Sequence, residues 1–150
     1  MLLSLTLNNF KKHEYLHVDF TEGTNGIYGS NYKGKTTLLY AVLYALGGSM
    51  HVPGNRLERR GSKGKFSVEL RFSTAEATFR IERTKSTANL YKGDELVAAG
   101  ISAVNTEVER VIGMSVKEWK ELHYAKQKNS HSLLRYSATN LQKLLRRLVG

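Results

Sequence analysis

In the run Gly29-Ser30-Asn31-Tyr32-Lys33-Gly34-Lys35-Thr36, two glycines bracket four residues, and a lysine and a hydroxyl side chain follow the second. That spacing suits a polyphosphate. Successive backbone N–H groups of such a loop converge on an anion, and a helix starting just after it aims its positive end at the same place. Lys35 would reach the outer phosphates. The Thr36 hydroxyl suits magnesium, which takes hard oxygen ligands and keeps several of its waters. The pattern is informative between a strand and a helix. Here Asn25-Gly26-Ile27-Tyr28 predicts a short strand entering the loop, and residues 37–46, almost wholly apolar, predict a helix leaving it.

The elements that must position this loop can be read from periodicity. Leu3, Leu5 and Leu7 alternate with polar residues, as in a half-buried strand. A second strand has Leu16, Val18 and Phe20 on one face and Tyr15, His17 and Asp19 on the other, with Lys11-Lys12-His13 in the turn between the two strands. The helix after the loop carries Leu38, Leu39, Val42, Leu43 and Leu46 around most of its circumference, which predicts burial, and Gly47-Gly48 ends it. Residues 49–64 read as a basic loop. Alternation returns at Phe66, Val68, Leu70 and Phe72, then at Ala77, Phe79 and Ile81, and a hairpin is predicted from Asn89-Leu90-Tyr91 through Lys92-Gly93-Asp94 to Leu96-Val97. From Ser102 the period turns helical up to Gly113, and Ser115 with Glu118 three residues on predicts a capped helix start. A last helix is predicted from about Thr139.

Composition narrows the function classes. The 150 residues include no cysteine, which excludes a disulfide framework and thiolate metal sites, and the five histidines have no metal-ligand spacing. No apolar run is long enough to cross a bilayer, and the first residues lack the parts of a signal peptide, so a cytoplasmic protein without a membrane partner is expected. The formal charge of +10 is concentrated in two places: residues 56–65 carry five basic groups and one acidic, and residues 117–150 carry eight and two. Arg56, Arg59, Arg60 and Lys63 in the first block, and Lys143, Arg146 and Arg147 in the second, are the candidate contacts to duplex DNA, since basic blocks attract polyanions.

A Leu-alternating first strand, Asn9-Phe10-Lys11, a second strand ending in Phe20, Gly26-Ile27-Tyr28-Gly29 before Asn31, and Gly34-Lys35-Thr36-Thr37 before an apolar helix together resemble the N-terminal half of SbcC-type and SMC-like ATPase heads. The resemblance covers the whole chain. It implies an α/β fold, the N-terminal lobe of an ABC-type P-loop NTPase head, with a mixed or antiparallel β-meander and flanking helices. Residues 1–48 would hold the first strands, P-loop and helix, 49–100 the basic loop and meander, and 101–150 a helical part leading toward a coiled coil. ATP and magnesium are the implied cofactors. Gly29, Asn31, Tyr32, Lys33, Gly34, Lys35, Thr36 and Thr37 match the phosphate-holding motif, Lys11 matches a basic residue that reaches the nucleotide, and Lys12 is its neighbour. Gln127 matches the Q-loop glutamine, which would complete the magnesium and water shell and act in catalysis beside Lys35. The Arg56 to Lys63 loop falls where the family approaches adenine, and its basicity equally suits DNA phosphate. Implied partners are double-stranded DNA, a nuclease subunit in recombination and double-strand-break repair, a second head on ATP binding, and a C-terminal head half. A nucleoid-associated location is implied, or the host cytoplasm for a phage-encoded chain.

Two departures from the family pattern bear on chemistry. Ser30 stands where proline is common and Tyr32 where glycine is common, so Tyr32 must take unusual backbone angles or shift the loop. No run of four apolar residues ends in aspartate, and no Leu-Ser-Gly-Gly signature occurs. Phosphoryl transfer needs such an acid on magnesium and a group to orient water. The expectation is therefore half of a catalytic site, which binds ATP and turns it over barely or not at all. Two other classes fit the same motifs: an ABC transporter nucleotide-binding domain, and a basic DNA-binding module with a vestigial P-loop.

Overall fold

The computed structural model describes residues 1–30, 33–54 and 56–123. The chain divides into two compact units, Met1–Val116 and Lys117–Gly150. The first is built on one six-stranded sheet formed by β1 (Leu2–Phe10), β2 (His13–Asp19), β3 (Ser67–Ser73), β4 (Thr78–Arg83), β5 (Ala88–Lys92) and β6 (Glu95–Ala99). Its order is β2-β1-β3-β4-β5-β6, and every neighbouring pair is antiparallel. The predicted alternation sets which way each strand faces. Leu5, Leu7, Val68, Leu70, Phe72, Phe79, Ile81 and Leu90 are buried, whereas Glu69, Arg71, Arg80 and Glu82 form a polar lattice on the opposite face through the Arg71–Glu69 and Arg80–Glu82 ion pairs.

Helix α1 (Lys35–Gly47) packs on the apolar face against β1, β3 and β4, and α2 (Ile101–Ile112) packs against β5 and β6. In α1, residues from Ala41 onward are buried, in keeping with its nearly uniform apolar composition. Phe10, Tyr44 and Phe66 form an aromatic triangle with ring centroids 5.4–5.8 Å apart, and it fixes the helix over the strands. Gly48 ends α1 as predicted, its N–H donating to the Tyr44 carbonyl at 2.8 Å. The predicted hairpin is β5–β6, turning at Gly93 with φ of 58°. Helix α3 (Val116–His123) begins at the position predicted after Ser115, at the junction of the two units, and within the second unit Trp119 stacks on His123 at 5.0 Å.

One expected element is absent. Residues 25–28 form no strand: they pair with neither edge of the described sheet, and Ile27 and Tyr28 are exposed. Extended backbone becomes a strand only through a ladder partner, and none of the described strands offers one here. The side chain of Asn25 instead bonds Thr21, so this segment closes a local turn. The helix predicted from Thr139 lies outside the described residues.

Candidate nucleotide and polyanion site

The phosphate-loop motif ends in a left-handed turn. Gly34 has φ of 96°, which only glycine adopts without cost, and α1 starts at the next residue. A helix leaves its first N–H groups without intrahelical partners. At this end of α1 no side chain caps them, and no acidic residue stands in the first turn. An anion placed there would meet no competing carboxylate from the first turn. The Lys35 ammonium folds back over the loop and donates to the carbonyls of Gly29 at 2.6 Å and Ser30 at 2.9 Å. Thr36 is exposed, as a metal-binding hydroxyl must be, while Thr37, the next residue of α1, is buried. Gly29 and Lys33 are exposed on the same loop. Asn31 and Tyr32, which belong to the same expected set, lie outside the described residues, as do Gln127, Lys143, Arg146 and Arg147. The donor set therefore fits a polyphosphate: helix N–H groups with no side-chain cap, one ammonium folded over the loop and one exposed hydroxyl.

The two basic groups singled out separately in the sequence are brought together. Lys11 and Lys12 of the β1–β2 turn line one open cleft with Arg56, Glu58, Arg59 and Arg60, about 620 Å³ in volume. The basic loop is fastened to the end of β1 by backbone bonds: Lys11 N–H donates to Leu57, Arg59 N–H donates to Asn9, and Phe10 bridges to Glu58. Asn9 takes the left-handed conformation at φ of 50° and sends its side-chain amide to the Lys65 carbonyl. The Lys11 ammonium donates to the Pro53 carbonyl and lies 5.5 Å from the Tyr40 ring on α1. Glu58, the one acid lining the cleft among the described residues, pairs with Lys85, while Arg59 is offset by Glu14. The cleft is thus strongly cationic and adjoins the P-loop helix. Lys63 is exposed on the loop but does not line it.

Arg83 escaped the sequence reading. Its side chain is 2% exposed, and its guanidinium donates to the carbonyls of Ala45 at 2.5 Å and Leu46 at 3.1 Å, and to the Asn105 side-chain oxygen at 2.6 Å. Those carbonyls belong to the last turn of α1, where no helical N–H reaches them. The positive charge also opposes the negative end of the helix dipole. Burial holds the Arg83 guanidinium below its ordinary pKa and raises that of the adjacent Tyr44 hydroxyl, which donates to the Thr84 carbonyl at 2.7 Å. A signal was available: the alternation that turns Phe79 and Ile81 inward turns residue 83 inward too.

A family model described as an AAA domain matches residues 4–148. The chain is similar to the DNA double-strand break repair Rad50 ATPases of Methanococcus maripaludis, 25% identical over 100% of this chain and 16% of that protein, and of Methanocaldococcus jannaschii, 28% identical over 100% and 15%. It therefore spans about one-sixth of the length of these curated relatives. A solved structure, described as concerning ATP-driven dimerization and DNA stimulated activation of SMC ATPases, superposes with a TM-score of 0.63 at 16% identity, covering 98% of both chains.

Proposed function

Because the chain belongs to the AAA-domain family and shares its fold with an SMC ATPase, we propose that it is the ATP-binding part of an SbcC- or SMC-like ATPase head that couples nucleotide to DNA in recombination and repair. The observation that carries this reading is the Gly34 turn, with uncapped helix N–H groups on one side and the Lys35 ammonium over the loop on the other. On binding, Lys35 exchanges the Gly29 and Ser30 carbonyls for phosphate oxygens, and Thr36 offers its hydroxyl to magnesium. The names of the Rad50 relatives support work on broken DNA. A nuclease subunit, a second head and a C-terminal head half complete the proposed assembly.

Calorimetric titration with ATP and magnesium tests the nucleotide assignment. Lys35→Ala is expected to weaken binding by at least about tenfold, the scale of one lost charge-assisted contact to phosphate. Equal heats from the two proteins would overturn the assignment.

Duplex DNA is expected to bind without sequence preference, because the cleft offers phosphate contacts and no base-reading helix. The logarithm of its association constant should fall linearly with the logarithm of salt concentration. Replacing both Arg56 and Arg60 by alanine is expected to lower the slope by roughly two, about one per neutralised phosphate. A slope unchanged by the double substitution would remove this cleft from the DNA surface.

A further inference from the structure

We propose that His13 is a positioning residue of the phosphate loop, acting through the Gly34 carbonyl; the inference rests on the nucleotide reading above. His13 is the first residue of β2, twenty-one positions before Gly34 in sequence, yet its imidazole lies directly on the turn. A Cβ on residue 34 would stand 2.6 Å from the His13 Nε2 and 3.0 Å from its Cε1, so the ring occupies the space that the missing side chain leaves. The ring Nε2 is 3.3 Å from the Gly34 carbonyl oxygen. A carbonyl only accepts, so the proton is on Nε2 and the imidazole donates.

The consequence follows from peptide geometry. The Gly34 carbonyl and the Lys35 N–H belong to one rigid trans peptide unit and point in opposite directions. Thr37 N–H donates to the same oxygen at 2.9 Å, closing the first turn of α1. With both donors in place, the carbonyl is pinned along the helix, and the Lys35 N–H is pinned outward toward the anion position. Without His13, one of the two restraints is lost, and the peptide most directly responsible for the cradle can rock about the flexible glycine. The contact also ties the loop to β2 and hence to the β1–β2 turn that carries Lys11 and Lys12.

The test compares His13→Gln, whose amide nitrogen reaches the position of Nε2, with His13→Leu, which fills similar space and donates nothing. ATP with magnesium is the ligand, Lys35→Ala is the control, and calorimetry and the unfolding midpoint of nucleotide-free protein are the readouts. His13→Leu is expected to weaken binding about threefold to tenfold, the range for one lost hydrogen bond, and His13→Gln to restore it to within about twofold. Should the leucine variant fail to fold, His13→Asn, whose amide ends one bond short, takes its place. Unaltered affinity in the leucine variant overturns the proposal. So do equally weak glutamine and leucine variants, which would assign the effect to ring packing instead of the donor. Wild-type binding by Lys35→Ala would instead defeat the nucleotide reading itself, and the positioning role with it.

Discussion

Replacing Arg83 by methionine is expected to lower folding stability by about 2–4 kcal/mol, because methionine fills the volume but leaves the Ala45 and Leu46 carbonyls and the Asn105 side chain facing a buried space without a donor. For a protein of this size that corresponds to a fall in melting temperature of roughly 5–15 °C. Arg83→Lys keeps the charge but has no planar fork, so it cannot span acceptors on α1 and α2 together, and it should recover only part of the loss. Thermal and denaturant unfolding of the three proteins decide the matter. Methionine and wild-type midpoints that coincide would show that water satisfies those carbonyls and that the charge does not hold the helix end.

Phosphate release should show the largest change in rate. The isolated 150-residue chain is expected to hydrolyse ATP barely above background. Addition of a C-terminal polypeptide with Walker B and signature segments is expected to raise hydrolysis by orders of magnitude. On the proposed reading Lys35 and Thr36 would hold ground-state phosphate and metal, and groups that bind substrate and transition state equally add affinity without rate. On the same reading the C-terminal half would add the acid on magnesium and the water-activating residue, beside a shell that Gln127 completes. Gln127→Ala should blunt the gain while sparing ATP binding. Steady-state phosphate release, with Lys35→Ala as blank, measures this. Brisk turnover by the lone chain that disappears in Lys35→Ala would place the catalytic acid within these residues.

Legibility followed the range of the forces involved. The strands of the meander and the helix after the loop were readable because each depends on local alternation or on a continuous apolar surface, as in Val68-Leu70-Phe72 and residues 41–46 of α1. The phosphate loop was readable because its chemistry is contiguous in sequence. The segment at residues 25–28 was misread for the opposite reason: Ile27 and Tyr28 have strand-forming side chains, but a strand requires a partner, and partners are a tertiary matter. His13 and Arg83 were missed on similar grounds. Each acts on backbone far away in sequence, at residue 34 in one case and residues 45 and 46 in the other. The basic cleft was half legible. Its two charge groups were noted separately, and their union depends on the left-handed turn at Asn9 and the bridge at Phe10.

The aromatic triangle and the buried guanidinium both grip the C-terminal half of α1, whereas the phosphate end is held by the glycine turn, His13 and the buried Thr37 and Leu38. Mechanically, the helix is a strut clamped at its inner end. Its 13 residues make a rod roughly 20 Å long, so a tilt of about 3° at the clamp carries the free tip about 1 Å. Asn105 joins that clamp through Arg83, which ties α2 to the inner end of the rod. A small displacement at the clamp is therefore enlarged at the phosphate end, and a displacement of the phosphate end reaches α2 reduced.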